Sequence, residues 1–513
     1  MPDTAAARPG DPGDFTLAPR EPVLASRTDR WLAYFGLPAG IAAFLAIYYL
    51  PLPAGLSLDG QAALAAFILA LIWWVTEPVP TYLTSLVLMI LLVAFQAQEV
   101  TAVLSVLGLD VIWLNILAFI LAAMLSRTPL ARRIGLALID RFGWSAGRAM
   151  GAFVLLQLVL APLIPATAAR AAMTLPLMTM VAAMYGSSAS RPNNFGRNLF
   201  LVNLTGISIL SSTVMTGSAA NLLAVGLLQT MGGHRVYYLD WLLASAPIAV
   251  LTVVAAWLAG PRLVFPIPPA QRVPQATGGS AAIHEARGAL GPMQREEWRA
   301  ITIFALVIAL WATDRFQARW FGIELGAPIA AMIGAVIALW PGVGLLRWKD
   351  TDIPWHLMIF SAGAYAGGLA LHGTGAAAWG MERILGSLTT RPMAFGWTYA
   401  LVVGVMLYSH LLSTSKTVRT IIMIPIIIVL ARRLGWEPAS LALPAAFTID
   451  WVIGLPISGK PNVILYASNQ YSARDNLRYG LTVCTIGYLL LLVAGMTWFH
   501  WLGLTPAFGT TPP

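Results

Sequence analysis

A ten-residue segment with Arg at its fourth position and Pro at its tenth occurs once in each half of the chain. Residues 167–176 read Thr-Ala-Ala-Arg-Ala-Ala-Met-Thr-Leu-Pro, and residues 416–425 read Lys-Thr-Val-Arg-Thr-Ile-Ile-Met-Ile-Pro, aligned without a gap at an offset of 249. A second pair aligns at an offset of 241, with Met-Thr-Gly-Ser-Ala-Ala-Asn at 215–221 and Pro-Ile-Ser-Gly-Lys-Pro-Asn at 456–462. Because both pairs occur in the same order in each half, they predict an internal duplication.

The composition is that of a membrane protein. Of 513 residues, 58% are apolar and only 10% are charged, whereas a soluble chain carries roughly 25% charged residues. This balance excludes a cytosolic enzyme, a nucleic-acid binder and a disordered scaffold. The net charge of +9 comes from basic residues scattered between apolar runs, and they form no basic patch. The single cysteine, Cys484, excludes an internal disulfide and a Cys-based metal site.

Four long apolar runs do not fit simple membrane crossings. A bilayer span needs about 20 residues, and the runs 148–185 and 393–430 are longer and carry polar and cationic residues in the middle. The runs 198–231 and 439–470 are interrupted centrally by Gly, Ser and Pro. Interrupted backbone is tolerated in a membrane only where it lines a cavity or a water-filled site. We therefore predict two re-entrant hairpins, at 148–185 and 393–430, and two broken helices.

These runs predict an all-α polytopic membrane protein with about eleven transmembrane helices and two re-entrant hairpins in an inverted repeat. The predicted segments are a disordered cytoplasmic N-terminus (1–30), a first transmembrane half (31–260), a cytoplasmic linker (261–297), a second transmembrane half (298–503) and a C-terminal tail (504–513). With the N-terminus in the cytoplasm, 20 of the 31 Lys and Arg residues lie on the inner side and seven lie outside. This excess fits the positive-inside rule and predicts that the C-terminus is outside. The predicted location is the cell inner (plasma) membrane.

Four cations remain at the predicted breaks: Arg170, Lys416, Arg419 and Lys460. On insertion scales each central Arg or Lys costs about 2.5 to 3.5 kcal/mol, so unpaired cations would oppose insertion strongly. The candidate intramembrane acids are Asp450 and Glu77, and two acids against four cations leave a positive site. We expect the four cations to converge on one cavity that takes a multiply charged anion. The alternative is that they form structural ion pairs or reach the membrane interface.

Residues 73–80 read Trp-Trp-Val-Thr-Glu-Pro-Val-Pro, which resembles the early Trp-Trp-x-Thr-Glu motif of the divalent anion:sodium symporter family. The resemblance extends over nearly the whole transmembrane length, with the hairpin tips and helix breaks at corresponding places. It implies that the tips and breaks bind sodium and substrate carboxylates. It also implies an elevator movement of the hairpin-containing domain and a homodimer.

The hairpin tips depart from the family pattern. Where the family carries Ser-Asn-Thr, residues 166–168 read Ala-Thr-Ala and residues 415–417 read Ser-Lys-Thr, and Arg170 and Arg419 follow two residues later. Sodium needs an oxygen cage, whereas an ammonium or a guanidinium supplies only donors and repels the ion. The resemblance therefore implies the fold and an anionic substrate, while these residues predict transport that does not need sodium.

The predicted substrate-binding residues are those at the tips and breaks: Thr167, Arg170, Ser218, Asn221, Ser415, Lys416, Thr417, Arg419, Ser458, Lys460 and Asn462. Asn221 and Asn462 occupy matching positions, where they either orient the unwound backbone or bind the substrate. The candidate charge partners or proton carriers are Asp450, Glu77 and His410, with a purely structural histidine as the alternative for His410. We predict no metal and no cofactor.

The predicted function is secondary active transport of a small di- or multivalent anion, with a C4-dicarboxylate favoured and sodium-independent exchange as its mode. Citrate, an aromatic dicarboxylate, sulfate or a sulfonate would fit the same residues. The alternatives are a proton- or sodium-coupled symporter, an anion channel, and a membrane-embedded enzyme acting on an anionic lipid. No nucleophile–base pair occurs, and the phosphate-loop pattern at 454–460 is followed by Pro461, where Ser or Thr should hold magnesium. The expected partners are the small anion and the lipid bilayer, with no nucleic acid.

Overall fold

The computed structural model describes residues 27–51, 53–275, 279–323, 325–385, 393–412 and 415–511. Within these ranges the chain is helical and contains no β-strand. Most of the predicted disordered N-terminus (1–30) and the end of the tail (512–513) lie outside the described residues. The first helix begins at Arg27, so the boundary predicted at residue 30 is corrected by four residues.

The first half consists of eleven α-helices among the described residues. They are α1 (Arg27–Tyr49), α2 (Leu58–Thr76), α3 (Thr81–Ala94), α4 (Val100–Ser105), α5 (Asp110–Ser126), α6 (Leu130–Phe142), α7 (Ala146–Leu163), α8 (Thr167–Met184), α9 (Asn194–Ile209), α10 (Ala219–Gly232) and α11 (Tyr238–Ala259). A π-helical turn, Gly260–Val264, extends α11. Short 3-10 turns lie at Val106–Gly108, Leu210–Thr213 and Met215–Gly217.

The linker and the second half contribute twelve more α-helices to the described part of the chain. They are α12 (Gly279–Gly288), α13 (Arg295–Ala312), α14 (Asp314–Phe321), α15 (Gly326–Leu339), α16 (Trp355–Gly373), α17 (Ala376–Leu385), α18 (Phe395–Tyr408), α19 (Lys416–Arg433), α20 (Pro438–Phe447), α21 (Lys460–Tyr466), α22 (Ala473–Met496) and α23 (Trp498–Trp501). Further 3-10 turns lie at Pro269–Gln271, Trp348–Asp350 and Ser409–Leu411.

Helix length and composition alone identify fewer membrane-spanning helices than the sequence predicts. Six helical segments of the described chain are long and apolar enough to cross a bilayer, and the bent pair Arg295–Ala312 and Asp314–Trp320 would make seven. Several further apolar helices are 10–17 residues long. One half of each broken helix, Ala219–Gly232 or Pro438–Phe447, falls in this shorter class. The count of about eleven spans therefore stays a prediction.

The repeat is visible in the helix boundaries. α8 and α19 are both 18 residues long, both carry an internal proline (Pro176 and Pro425), and they begin at Thr167 and Lys416. Each inner hairpin helix also packs against the second segment of the other half's broken helix, α8 against α21 and α19 against α10. The two halves therefore interlock at their breaks.

We call α7–α10 and α18–α21 the interlocked body. A second set of helices, which we call the frame, includes α3, α5, α15 and α16. α3 packs against α16, α5 against α15, and α1 against α2. Helices α3 and α16 approach closely at Gly363, where a Cβ would lie 2.4 Å from the Cβ of Ser85. Only a glycine allows α16 to come this near to α3.

Arg133 on α6 attaches the linker to the first half. Its Nε and Nη2 donate to the two carboxylate oxygens of Glu297 at 2.8 and 3.0 Å, and its Nη1 donates to the Gly291 carbonyl at 2.8 Å. The Glu297 side chain is fully buried. A bidentate pair of this kind is geometrically specific, and it fixes the start of α13 beside α6.

Helix α22 packs directly against the second break. At Gly480 a Cβ would lie 2.3 Å from the Ile453 carbonyl oxygen and 2.7 Å from the Cα of Gly454. The only cysteine, Cys484, lies one turn further along α22, is fully buried, and has its Sγ 3.9 Å from the Trp451 carbonyl oxygen. The backbone of the second break therefore packs directly against α22, with no room for a side chain at position 480.

We predict that Gly480→Ala destabilises the protein, because the added methyl group meets backbone atoms that have no room to move. Overpacking of this kind costs about 1 to 3 kcal/mol. Thermal unfolding in detergent, followed by tryptophan fluorescence, should show a lower midpoint. The control is Gly147→Ala, at a helical glycine with no atom within 4 Å of the added Cβ. Equal midpoints for the two variants would contradict the prediction.

Candidate functional site

A cavity of about 1070 Å³ lies where the hairpin tips and the helix breaks meet. Of the predicted site residues, those in its wall are Thr167, Ser218, Ser415, Lys416, Thr417, Lys460 and Glu77. Helices α8, α10 and α19 all begin in this wall. Their N-termini present backbone N–H groups and positive partial charge, which favours a bound anion.

Behind this wall, an ion pair of the second half accepts a hydrogen bond from the first half. The Lys416 ammonium donates to Asp450 Oδ1 at 2.6 Å, and Ser218 Oγ donates to Asp450 Oδ2 at 2.9 Å. Lys416 also reaches Thr167 Oγ1 at 3.5 Å. Asp450 is fully buried, so the predicted charge partner forms a pair with a tip lysine behind the cavity surface.

Lys460 differs from Lys416 in having no counter-ion. It is exposed to the cavity at the start of α21, and among the described residues it forms no ion pair within 4 Å. The wall thus holds one ammonium compensated by Asp450 and one that is uncompensated. An arriving carboxylate would meet Lys460 as the available cation.

Arg170 and Arg419 lie behind the wall, which corrects the expectation that all four cations line one cavity. Arg170 is 0% and Arg419 is 2% exposed. Arg170 donates to the Ile207 carbonyl at 3.2 Å and to Ser211 Oγ, and Arg419 donates to the Ile449 carbonyl at 2.5 Å. These carbonyls lie at the ends of α9 and α20, where a helix leaves its C=O groups without partners.

The Asp450 carboxylate also interacts electrostatically with both buried guanidiniums, Arg170 and Arg419. One acid therefore faces Lys416 directly and two further cations at longer range. The four predicted cations do gather around the breaks, but only the two lysines reach the cavity. The two arginines donate to backbone carbonyls beside the breaks and do not reach the substrate space.

The two asparagines make the same hydrogen bonds in the two halves. Asn221 Nδ2 donates to the carbonyls of Ser211 and Val214 at 3.0 and 3.3 Å. Asn462 Nδ2 donates to the carbonyls of Val452 and Leu455 at 2.7 and 2.9 Å. Both side chains are fully buried and outside the cavity wall. Of the two roles left open by the sequence, the geometry corresponds to orienting the unwound backbone.

His410 and Ser458 also lie behind the second break. His410 is 1% exposed, its Nδ1 pairs with the Leu407 carbonyl at 2.6 Å, and its Nε2 faces Gly454. Ser458 Oγ donates to the His410 carbonyl at 3.3 Å. Neither side chain is part of the cavity wall, so the structure does not bring them to the substrate space.

Sequence reasoning missed the rim of the cavity. Arg127, at the end of α5, pairs with Asp350 at 2.6 Å, and Asp352 and His356 line the same edge. The only signal in the sequence is that these polar residues flank apolar runs. Pairing across such a distance along the chain cannot be inferred from one sequence, because no periodic pattern connects the partners.

The comparisons with known proteins place the chain in a family. Residues 31–505 match the family described as the sodium:sulfate symporter transmembrane region. The chain belongs to this family, the divalent anion:sodium symporters. It is therefore a multi-pass membrane transporter and not an enzyme, as its hairpin tips and breaks predict.

Its relatives are spread over bacteria and plants. The chain is 27% identical to a membrane protein of Cupriavidus necator, covering 92% of this chain and 93% of that one. It is 25% identical to dicarboxylate transporter 1, chloroplastic, of Arabidopsis thaliana, over 91% and 83%. It is 24% identical to the sodium-dependent dicarboxylate transporter SdcS of Staphylococcus saprophyticus, over 89% and 90%.

A solved structure supports the fold. The YdaH transporter of Alcanivorax borkumensis superposes with a TM-score of 0.51 at 15% identity, covering 94% of this chain and 99% of that one. At this level of identity the likeness concerns the arrangement of helices only. The predicted all-α membrane transporter architecture is confirmed.

We predict that Asn221→Ala and Asn462→Ala each lower transport about tenfold or more, equivalent to about 1.4 kcal/mol. Each change leaves one buried carbonyl, that of Ser211 or Val452, without a donor, which costs about 1 to 3 kcal/mol. The second carbonyl in each break still accepts a backbone N–H. Uptake into liposomes and thermal unfolding should be measured together. A backbone role lowers the unfolding midpoint along with the rate, whereas a substrate-binding role raises KM at an unchanged midpoint. Wild-type rates in both variants would exclude any role for the two breaks.

Proposed function

We propose that the protein is a secondary transporter of small dicarboxylates that exchanges one anion for another without sodium. The observation that carries this proposal is the position of the Lys416 ammonium, 2.6 Å from Asp450 and 3.5 Å from Thr167 Oγ1. These are oxygen ligands of the kind that a coupling cation would use. An ammonium fixed among them leaves no cage for sodium at this tip.

The favoured substrate is a C4-dicarboxylate or a similar carboxylate. Two relatives are described as dicarboxylate transporters, and the cavity supplies an uncompensated ammonium at Lys460 together with three helix N-termini. A dicarboxylate would place one carboxylate near Lys460 and the other near the Thr167 hydroxyl at the start of α8. The Ser218 hydroxyl is not available to the substrate, because its proton is donated to Asp450. Because one relative is described as sodium-dependent, sodium coupling is the alternative that the experiments must address.

The expectation of anion exchange follows from the cationic side chains that are part of the protein. A cation that is part of the protein compensates an anionic substrate permanently, but it carries no energy across the membrane. An empty positive site crosses a bilayer unfavourably, because moving uncompensated charge through hydrocarbon is costly. The return of the empty carrier is therefore the slow step, and a counter-anion relieves it.

The mechanism that we propose is an elevator movement, in the orientation that places the N-terminus in the cytoplasm. The moving body would be the interlocked set of α7–α10 and α18–α21, sliding against the frame that contains α3, α5, α15 and α16. In this orientation the cavity, with Arg127 and Asp350 at its rim, faces the cytoplasm. We further propose the plasma membrane as the location and a homodimer as the assembly.

We predict that preloading liposomes with the same dicarboxylate strongly raises its uptake, because the internal anion returns the carrier in a neutralised state. Replacing external sodium by potassium or choline should change nothing. The measurement is the initial uptake of radiolabelled succinate, with an anion panel inside and outside the vesicles. Uptake that rises steeply with sodium and ignores the internal anion would indicate a symporter, and flux that neither saturates nor shows counterflow would indicate a channel.

We predict that Lys416→Asn makes uptake sodium-stimulated. The substitution returns the tip to the Ser-Asn-Thr pattern of the family and leaves Asp450 without its ammonium, so a sodium ion can replace the lost charge. The matched control is Lys460→Asn, which removes a wall cation that has no acid partner. We expect the control to raise KM about tenfold, the effect of losing one charged hydrogen bond, with no response to sodium. If the Lys416→Asn variant still takes up the anion and its uptake does not respond to sodium, the role assigned to Lys416 is wrong.

A further inference from the structure

A second cavity, separate from the substrate cavity, lies between α6 and the first hairpin. It has a volume of about 460 Å³ and shares no lining residue with the larger one. Its walls are formed mainly by aliphatic side chains, including Leu136 on α6, Leu156 and Leu160 on α7, and Leu177 on α8. We call this cavity the α6 groove.

The α6 groove contains one charged side chain, Arg132. Arg132 is exposed and forms no ion pair within the described part of the chain, whereas its neighbour Arg133 is bound to Glu297. The other polar wall residue, Thr174, already donates its hydroxyl to the Arg170 carbonyl at 2.8 Å. The groove is thus an apolar slot with a single available cation.

The surroundings of the groove have the character of a membrane interface. Helix α6 is amphipathic, with Leu130, Leu136 and Ile139 among the buried residues of its apolar face and arginines on the other. The segment 127–148 contains five arginines and one acid, Asp140. An amphipathic, arginine-rich helix of this kind lies in the headgroup region of a bilayer.

The apolar wall continues onto the outer surface of the hairpin. Helix α7 is apolar enough to cross a membrane and exposes Leu155, Leu158 and Val159. On α8, Met173 and Pro176 line the groove and are themselves partly exposed. A hydrocarbon chain lying along α7 would therefore reach the groove without crossing polar surface.

We propose that the α6 groove binds an anionic phospholipid, with an acyl chain between α6 and the hairpin and the phosphate on Arg132. Basic pockets between membrane helices are typical sites for anionic headgroups. A small dicarboxylate does not fit this chemistry, because its second charge would be buried among leucines without a partner. The site is independent of the sodium-free exchange proposed above.

A lipid in the groove contacts the hairpin that carries a substrate-cavity tip. Met173 and Pro176 lie on α8 within three turns of Thr167, its first residue. Pro176 has no N–H, so the carbonyl one turn before it lacks its helical donor and α8 is weakened there. Occupation of the groove would brace α8 at this point and change the transport rate without touching the substrate.

The test compares Arg132→Ala with the matched control Arg141→Ala, which removes the same charge from the same helix outside the groove. Purified full-length variants are incubated with phosphatidylglycerol, with phosphatidylcholine, or with inorganic phosphate. Retained lipid is counted by native mass spectrometry and stability is measured by thermal unfolding. Uptake is then compared in vesicles of phosphatidylcholine alone and of phosphatidylcholine with an equal amount of phosphatidylglycerol.

We expect wild-type protein and Arg141→Ala to retain phosphatidylglycerol and to be stabilised by it, with faster uptake in the mixed vesicles. Arg132→Ala should lose affinity for phosphatidylglycerol about fivefold, the contribution of one basic residue near an anionic headgroup. Equal retention by the two variants would overturn the proposal. Equal effects of phosphatidylcholine would exclude an anionic headgroup, and equal effects of inorganic phosphate would exclude a lipid.

Discussion

The ion pair between Lys416 and the buried Asp450 is the interaction on which the arrangement of the breaks depends. A lone buried charge costs several kcal/mol, so the Asp450 carboxylate needs a cation beside it. Asp450 is held from the second half by Lys416 and from the first half by Ser218. The two hairpin tips and the two breaks must therefore meet at one point, and the substrate cavity is the space that this meeting leaves open.

Around that pair, the two halves are alike in backbone and unlike in charge. Asn221 and Asn462 close the two breaks with equivalent hydrogen bonds, and Arg170 and Arg419 hold equivalent helix ends. The two lysines of the wall, however, both come from the second half, where the first half offers Thr167 and Ser218. Duplication thus preserved the parts that shape the backbone, while the parts that set the charge of the cavity differ between the copies.

Much of this architecture can be predicted from the sequence, because a break in an apolar run is a local signal. The hairpins, the starts of α8 and α19 and the equivalence of the asparagines all follow from short stretches read in order. The roles of Arg170 and Arg419 do not, because the cost of burying a cation predicts that it has a partner without telling whether the partner is a substrate or a backbone carbonyl. The Arg127–Asp350 pair and the α6 groove join segments far apart in the chain, and one sequence contains no record of such proximity.

The burial of Cys484 has a practical consequence for observing movement in this protein. The thiol is the only one in the chain and is packed inside α22 beside the second break, where water-soluble labelling reagents do not reach it. The natural sequence is therefore already a background for site-specific spin labels or fluorophores on engineered cysteines. A pair of labels, one on the interlocked body and one on the frame, would report their separation in a bilayer without replacing a single native residue of the transport pathway.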